Sequence, residues 1–350
     1  MRKRRLCGGA LAAEPRIVIA GAGAIGCFVG GLLAAGGRRV TLLVRPRVAQ
    51  EIRSHGLTLT DFGGMAVQIG TDRLALSEDP ACLARADVVL VTVKSGDTAT
   101  IAELIDQHAP IKAPVISLQN GLRNGALLQE ALPGHDVRGG MVPFNVVPMG
   151  QGCYHRATSG DVVIAGGAGD LEGLLSVPHL CTTSSRDIEA VQWGKFLINL
   201  NNALNALSGL PLAEQLRDRS WRRLMADQWR EALGVLRGAG IRPVSMTPVS
   251  VGLIPFILRL PTPLFSRIAA SMLTIDAQAR TSMALDLMAG RPTEIDSLQG
   301  AVIAMAKAQG RAAPICTMVA EVIRTAELAE EGLPDLSAAA LRREIRQGTS

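Results

Sequence analysis

Residues 193–207 read WGKFLINLNNALNAL. Leucines recur there at helical spacing, yet the rest of the surface carries one ammonium and four amides. At about 100° per residue, Asn199 and Asn202 fall within about 40° of Lys195, and Asn205 about 80° away. Trp193, Phe196, Leu197, Leu200, Leu204 and Leu207 gather on the opposite side. Asparagine is a poor helix former because its short amide competes for nearby backbone groups. Solvated helix faces are normally built from Glu, Lys and Arg, so amides in a fixed geometry suit the wall of a cleft better. An ammonium set among them can stabilise a developing oxyanion and then protonate it.

A lysine in that role needs a carboxylate to keep it charged while desolvation lowers its pKa. Glu294, in GRPTEID, is the candidate. The same stretch also reads as a helix start, with Thr293 and Asp296 spaced as a capping box. Ser282 and Asp286 lie one helical turn apart ahead of a C-terminal glycine, Gly290, and read equally well as helix surface.

A second chemical signature lies at Gly21-Ala22-Gly23-Ala24-Ile25-Gly26, directly after an apolar strand and directly before a helix. In that context G-x-G-x-x-G marks a dinucleotide site. Gly21 permits the turn, Gly23 lets the backbone approach a pyrophosphate, and Gly26 lets helix and strand pack closely. The first helical amides, at Ala24 and Ile25, face the phosphates. The next strand ends in LLVRPR rather than in an acid. Arg45, helped by Arg47, suits a 2′-phosphate, so the expected cofactor is NADP.

Strand-like runs at 16–21, 39–44, 87–93 and 114–119 alternate with amphipathic helices at about 25–35, 46–54, 98–108 and 124–131. Buried β-branched runs alternating with helices predict a doubly wound parallel sheet covered on both faces. Residues 57–70 read as a hairpin turned at Gly63-Gly64, and 160–167 as a late edge strand. Beyond Asp187 helical periodicity takes over. The expectation is an α/β fold: a disordered extension over 1–14, a Rossmann-type domain over 15–185 and an all-helical domain over 186–345. The proline-rich stretch 243–265 reads as packing between helices, with a lid as the alternative.

Composition narrows the function. The chain has 350 residues, 48% of them hydrophobic and 19% charged, which is globular rather than disordered. The net charge is +5, of which Arg2, Lys3, Arg4 and Arg5 supply +4, leaving +1 for the rest, so no polyanion partner is indicated. Aromatics at 3% argue against stacking platforms for nucleic acid. Six scattered cysteines form neither a metal motif nor a disulfide framework and suit a cytoplasmic protein. The basic start with its short apolar patch reads as an extension rather than a signal peptide, and 249–258 is too short to span a membrane. The five histidines fall in no motif. Oligomeric state stays open, a homodimer included.

GAGAIG, VTLLVR, VTVKSGDT, SLQNGL, WGKFLIN and SMALDLMAGRPTEID follow one another as in the ketopantoate (2-dehydropantoate 2-) reductases. From about residue 16 to 325 the chain resembles that family. The resemblance implies a Rossmann domain, a helical domain and an active site between them, where NADPH reduces ketopantoate to (R)-pantoate. It implies that Gly21, Gly23, Gly26 and Arg45 bind NADPH, with Lys94 beside the cofactor and Asn120 near the nicotinamide. Lys195 would be the general acid and Glu294 would contact the substrate hydroxyl or the lysine. Asn199 would bind substrate and Ser282 its carboxylate region. A second asparagine is expected eight residues after the lysine; here Asn202 stands at seven and Asn201 at six, and only Asn202 faces with Lys195. The connection at 243–275 is also longer than in compact members. Other readings are a reductase of another branched 2-oxo acid, an opine-type dehydrogenase, and a non-catalytic NADP sensor; a sensor has no need of Lys195 paired with Glu294.

Overall fold

The computed structural model describes residues 14–245, 249–269, 276 and 278–347. The expected disordered extension therefore lies, Glu14 apart, outside the described residues. The N-terminal half runs β1 (Arg16–Ala20), α1 (Ala24–Ala35), β2 (Arg39–Leu43), α2 (Pro46–His55), β3 (Leu57–Asp61), β4 (Ala66–Ile69), β5 (Ala75–Ser77), β6 (Val88–Val91), α3 (Thr98–His108), β7 (Val115–Ser117) and α4 (Asn124–Ala131). It continues through β8 (Val137–Met141), β9 (Val146–Gly150), β10 (Cys153–Arg156), β11 (Val162–Ala165), α5 (Leu171–Leu175) and β12 (Thr182–Ser185).

Eight strands form one sheet in the order β12-β11-β8-β7-β6-β1-β2-β5, parallel throughout except where β11 meets β8. Chain order reverses between β1 and β6, which is the switch point where ligands of doubly wound sheets bind. The central strands are buried on both faces, so they read as continuous apolar runs. A second sheet, β4-β3-β10-β9, includes the expected hairpin, with Leu57 opposite Ile69 and Thr60 opposite Ala66. Helix α1 packs between the two sheets. A Cβ on Gly30 would strike Leu42 and Ile19 on one side, and one on Gly31 would strike Leu57 and Leu59 on the other. A helix enclosed this way is apolar all round, as its sequence AIGCFVGGLLAA is.

One strand expectation needs correction. The run at 160–167 is not an edge: β11 is paired on both sides, and the edge is the polar TTSS of β12. The strand VRGGM, β8, carries no apolar alternation because its glycines serve close packing. A Cβ on Gly139 would meet Ile188, and one on Gly140 would meet the Ser117 carbonyl.

The helical region comprises α6 (Ile188–Asn199), α7 (Asn201–Ser208), α8 (Leu212–Arg217), α9 (Arg219–Gly238), α10 (Ile254–Arg259), α11 (Thr262–Ile268), α12 (Ser282–Met288), α13 (Gln299–Ala308), α14 (Pro314–Ala329) and α15 (Ala338–Gln347). Its core joins Trp193, Phe196 and Leu204 to Trp221, Trp229 and Ile323. The single helix expected over 193–207 is divided at Leu200. The Leu200 carbonyl accepts from the buried amides of Gln228 (2.9 Å) and Gln299 (2.8 Å), which compete with the helical ladder. Nor does a helix start at Thr293: residues 294–298 form turns and α13 begins at Gln299. Asp296 does not cap that turn; its carboxylate pairs with Arg324 at 2.6 Å.

Candidate active site

The glycine turn closes β1 at the switch point. Gly21 has φ of +81°, and a Cβ there would overlap Val93 at 2.0 Å. Its carbonyl accepts from Thr92 Oγ1 at 3.0 Å. A Cβ on Gly26 would meet Thr92 Oγ1 at 2.4 Å and Ile19 at 2.9 Å, so that glycine serves packing of α1 on the sheet. Gly23 is different: nothing lies within 4 Å of its notional Cβ. No contact among the described residues accounts for this glycine, whereas close approach of a ligand to the backbone does. The amides of Ala24, Ile25 and Gly26, at the start of α1, precede any possible intrahelical acceptor and face outward from the same turn. The turn thus fits a dinucleotide pyrophosphate.

Arg45 follows β2, its side chain 82% exposed, and pairs with Asp97 at 2.9 Å. Asp97 is a carboxylate at the cofactor end that inspection of the β2 terminus missed, because it enters from the turn after β6. Lys94 opens that turn with its side chain exposed.

The residues singled out for chemistry converge from both halves. Asp187 caps α6 by accepting from Ala190 N at 2.9 Å. Trp193 and Phe196 stack edge-to-face in the core at 5.1 Å, which turns Lys195 the other way. Gly194 lets Val244 pass against the helix, since a Cβ there would overlap the Val244 carbonyl. Lys195 Nζ then reaches the sheet, donating to Asn120 Oδ1 at 2.7 Å, just past β7, and to the Val142 carbonyl, just past β8. Burial pushes the ammonium down to about 8, with Glu294 opposing the shift. Solvent reaches the Glu294 side chain, yet the surrounding chain raises its carboxyl by desolvation, helped by Asp286; Lys195 and Lys94 oppose this. Glu294 and Lys195 are coupled by charge and not by a hydrogen bond.

The amides of the opening stretch divide into two groups. Asn199 has no hydrogen-bond partner among the described residues, which leaves a free amide one turn beyond Lys195. Asn202 donates to Ser282 Oγ at 3.4 Å, so these two expected substrate contacts are neighbours. Asn205 departs from the expectation that the polar stripe lines a cleft. It is buried, accepts from Thr281 N at 3.1 Å and donates to the Leu210 carbonyl and to Gln215. Asn201 exchanges hydrogen bonds with Gln215. These two amides tie α7 to its neighbours, and Asn205 satisfies the Leu210 carbonyl and the Thr281 amide, which lie outside regular structure.

An ammonium at a lowered pKa, with the free Asn199 amide one turn away, can polarise and protonate a carbonyl oxygen. Comparison with known proteins covers both halves of the chain. Residues 17–169 match the family described as ketopantoate reductase PanE/ApbA, and residues 187–327 match that family's C-terminal part. A 2-dehydropantoate 2-reductase of Halobacterium salinarum is 29% identical over 321 residues, which is 89% of this chain and 99% of the relative. One of Archaeoglobus fulgidus is 27% identical, covering 82% and 90%. Among solved structures, a PanE/ApbA family ketopantoate reductase from Ralstonia eutropha superposes with a TM-score of 0.74 at 28% identity, covering 90% of this chain and 99% of that one. A D-mandelate dehydrogenase solved with NADH and anilino(oxo)acetate shares the fold, with a TM-score of 0.73 at 22% identity over 90% of this chain and 99% of that one.

Proposed function

The chain belongs to the ketopantoate reductase family, and from that premise we propose that it reduces 2-dehydropantoate to (R)-pantoate with NADPH, a cytoplasmic step toward pantothenate and coenzyme A. The observation that carries the reading is the reach of Lys195 from α6 to Asn120, at the sheet end that bears the glycine turn. The cofactor, when bound, supplies a hydride to the carbonyl carbon of the 2-oxo acid. Gly21, Gly23 and the amides of Ala24, Ile25 and Gly26 hold its pyrophosphate, Arg45 its 2′-phosphate, and Lys94 lies alongside.

Lys195 donates a hydrogen bond to the carbonyl oxygen, stabilises the charge that builds there, and delivers the proton. A pKa of about 8 leaves the group mostly protonated at neutral pH while making it a better acid than an ordinary lysine. Glu294 keeps that ammonium charged between turnovers. Asn120 orients it, while Asn199, Asn202 and Ser282 bind the substrate carboxylate and hydroxyl. The reacting partner is thus a small 2-oxo acid.

One observation favours a second reading of the cofactor. The Asp97 carboxylate beside Arg45 can accept from a ribose 2′-hydroxyl, as NADH requires. Following loss of NADPH or NADH absorbance with ketopantoate and a panel of other 2-oxo acids tests both points. Oxidation of neither cofactor with any of these acids would end the reductase assignment.

A further inference from the structure

The turn that presents Asn120 to Lys195 is held from beneath by a buried polar network that the reaction itself does not explain. Asn124, the first residue of α4, is 3% exposed, and its amide does not cap its own helix. Nδ2 instead donates to Ser95 Oγ at 2.9 Å and to the Asn120 carbonyl. Ser95 Oγ in turn donates to that same carbonyl at 3.2 Å. On the other side, Asn124 Oδ1 lies 3.2 Å from Thr98 Oγ1, which accepts from Gln119 Nε2 at 2.8 Å. Ser117 completes the chain by donating to Gln119 Oε1 at 3.1 Å. Both donors of Asn124 are therefore used, while its Oδ1 shares the single Thr98 hydroxyl proton with the Ser95 carbonyl, 2.9 Å from Thr98 Oγ1.

The network joins two turns. Ser95 follows Lys94 after β6, and Asn120 follows β7. Gly121, at φ +98°, wraps the second turn closely around the amide: a Cβ there would come within 3.2 Å of Asn124 Nδ2. Leu122 then packs against the core of the helical region. The Asn120 turn is thus clamped from below by Asn124 and from above by the domain that supplies Lys195.

We propose that Asn124 is a positioning residue that locks the Lys94 and Asn120 turns together, so that Asn120 Oδ1 meets the Lys195 ammonium in the geometry needed for proton delivery. The inference rests on Lys195 being the proton donor. A purely structural amide would affect stability alone, whereas misplacement of a catalytic contact by about 1 Å costs up to roughly 100-fold in rate. A hydrogen-bonded network centred on a buried amide is also the kind that specifies one geometry.

The test compares kcat against pH for the full-length enzyme and for Asn124→Ala, Asn124→Asp and Ser95→Ala, with Lys195→Ala as the control. Asn124→Ala and Asn124→Asp are expected to lose roughly 10- to 100-fold in kcat. The alkaline limb of Asn124→Ala should move to lower pH, because Lys195 loses the alignment of an acceptor that favours its charged form. Ser95→Ala, at an exposed residue that accepts only one of the two Asn124 donors, should shift in the same direction by less. Titration of Lys195 followed by carbon-13 NMR reads the same contact without turnover. Wild-type kcat, alkaline limb and Lys195 titration in folded Asn124→Ala and Ser95→Ala would overturn the proposal. If the Asn124 variants do not fold, the same comparison on Ser95→Ala decides it. An active Lys195→Ala would instead remove the premise about the proton donor, so the two failures are distinguishable.

Discussion

Lys195 Nζ, carried on a helix of the C-terminal region, lies 2.7 Å from Asn120 Oδ1 at the end of a strand in the parallel sheet. This one contact joins the two halves of the molecule at the end of the sheet where a dinucleotide binds. Because the ammonium is built into one body and its acceptor into the other, their relative placement sets how the proposed proton donor is aimed.

Replacing Lys195 by Ala removes the proposed proton donor and leaves the glycine turn untouched. We expect kcat to fall by roughly 10²- to 10⁴-fold with the NADPH dissociation constant unchanged. Steady-state kinetics together with a fluorescence titration of NADPH separates the two effects. Equal losses in both would show that the lysine serves cofactor binding.

The pH profile follows from the depressed Lys195 pKa. The ammonium is present below about 8 and is lost as pH rises through that value, so kcat should decline on the alkaline side near pH 8. Glu294 opposes the depression. Glu294→Gln should therefore lower the lysine pKa further and move the alkaline limb to lower pH. A limb that stays in place would dissociate the carboxylate from the lysine.

Arg45→Asp should erode the preference for NADPH over NADH by about 1.5–3 kcal/mol, roughly 10- to 100-fold in the ratio of kcat/KM values. Asp97→Asn should act in the opposite direction if that carboxylate serves a ribose hydroxyl. An Arg45 variant with unaltered preference would mean that the guanidinium does not read the phosphate.

The glycines separate cofactor binding from folding. Gly26→Ala forces a Cβ against Thr92 and Ile19, and is expected to cost about 1–3 kcal/mol of stability. Gly23→Ala meets nothing inside the protein, so thermal stability should hold while NADPH affinity drops. Calorimetry on the cofactor-free enzyme beside binding titrations gives both answers.

The asparagines should separate in the same way. Asn205→Ala removes the side-chain partner of the buried Thr281 amide and of the Leu210 carbonyl and should destabilise by about 1–3 kcal/mol. Asn199→Ala frees no protein group and should act on KM or kcat with stability unchanged. Urea denaturation of both variants, set against their kinetics, checks the division.

Much of this was legible from spacing alone. Strands and helices around the glycine turn follow from apolar periodicity and turn chemistry, which are local, and α3 and α4 begin and end where periodicity places them. The helical stripe of Lys195, Asn199 and Asn202 is equally local, because three or four residues bring side chains onto one face. Strand β8 escaped because its glycines answer to α6, a partner distant in sequence. The helix start expected at Thr293 failed because a local capping pattern was overruled by a turn and by Arg324. Asn205 and Asn202 look alike in sequence, and only the packing of α12 against α7 makes one a buried brace and the other a neighbour of Ser282.

Sequence by itself determined the order of the elements, the glycine turn and the residue types available for proton transfer, since these depend on neighbours along the chain. Tertiary structure alone decided that Lys195 meets Asn120, that Asp97 stands beside Arg45 and that Asn124 lies beneath both cofactor-side turns. Those relations link positions 29 to 75 residues apart at their widest spans. Their geometry, and the desolvation that lowers the lysine pKa, arise only when separate elements exclude water from a shared space.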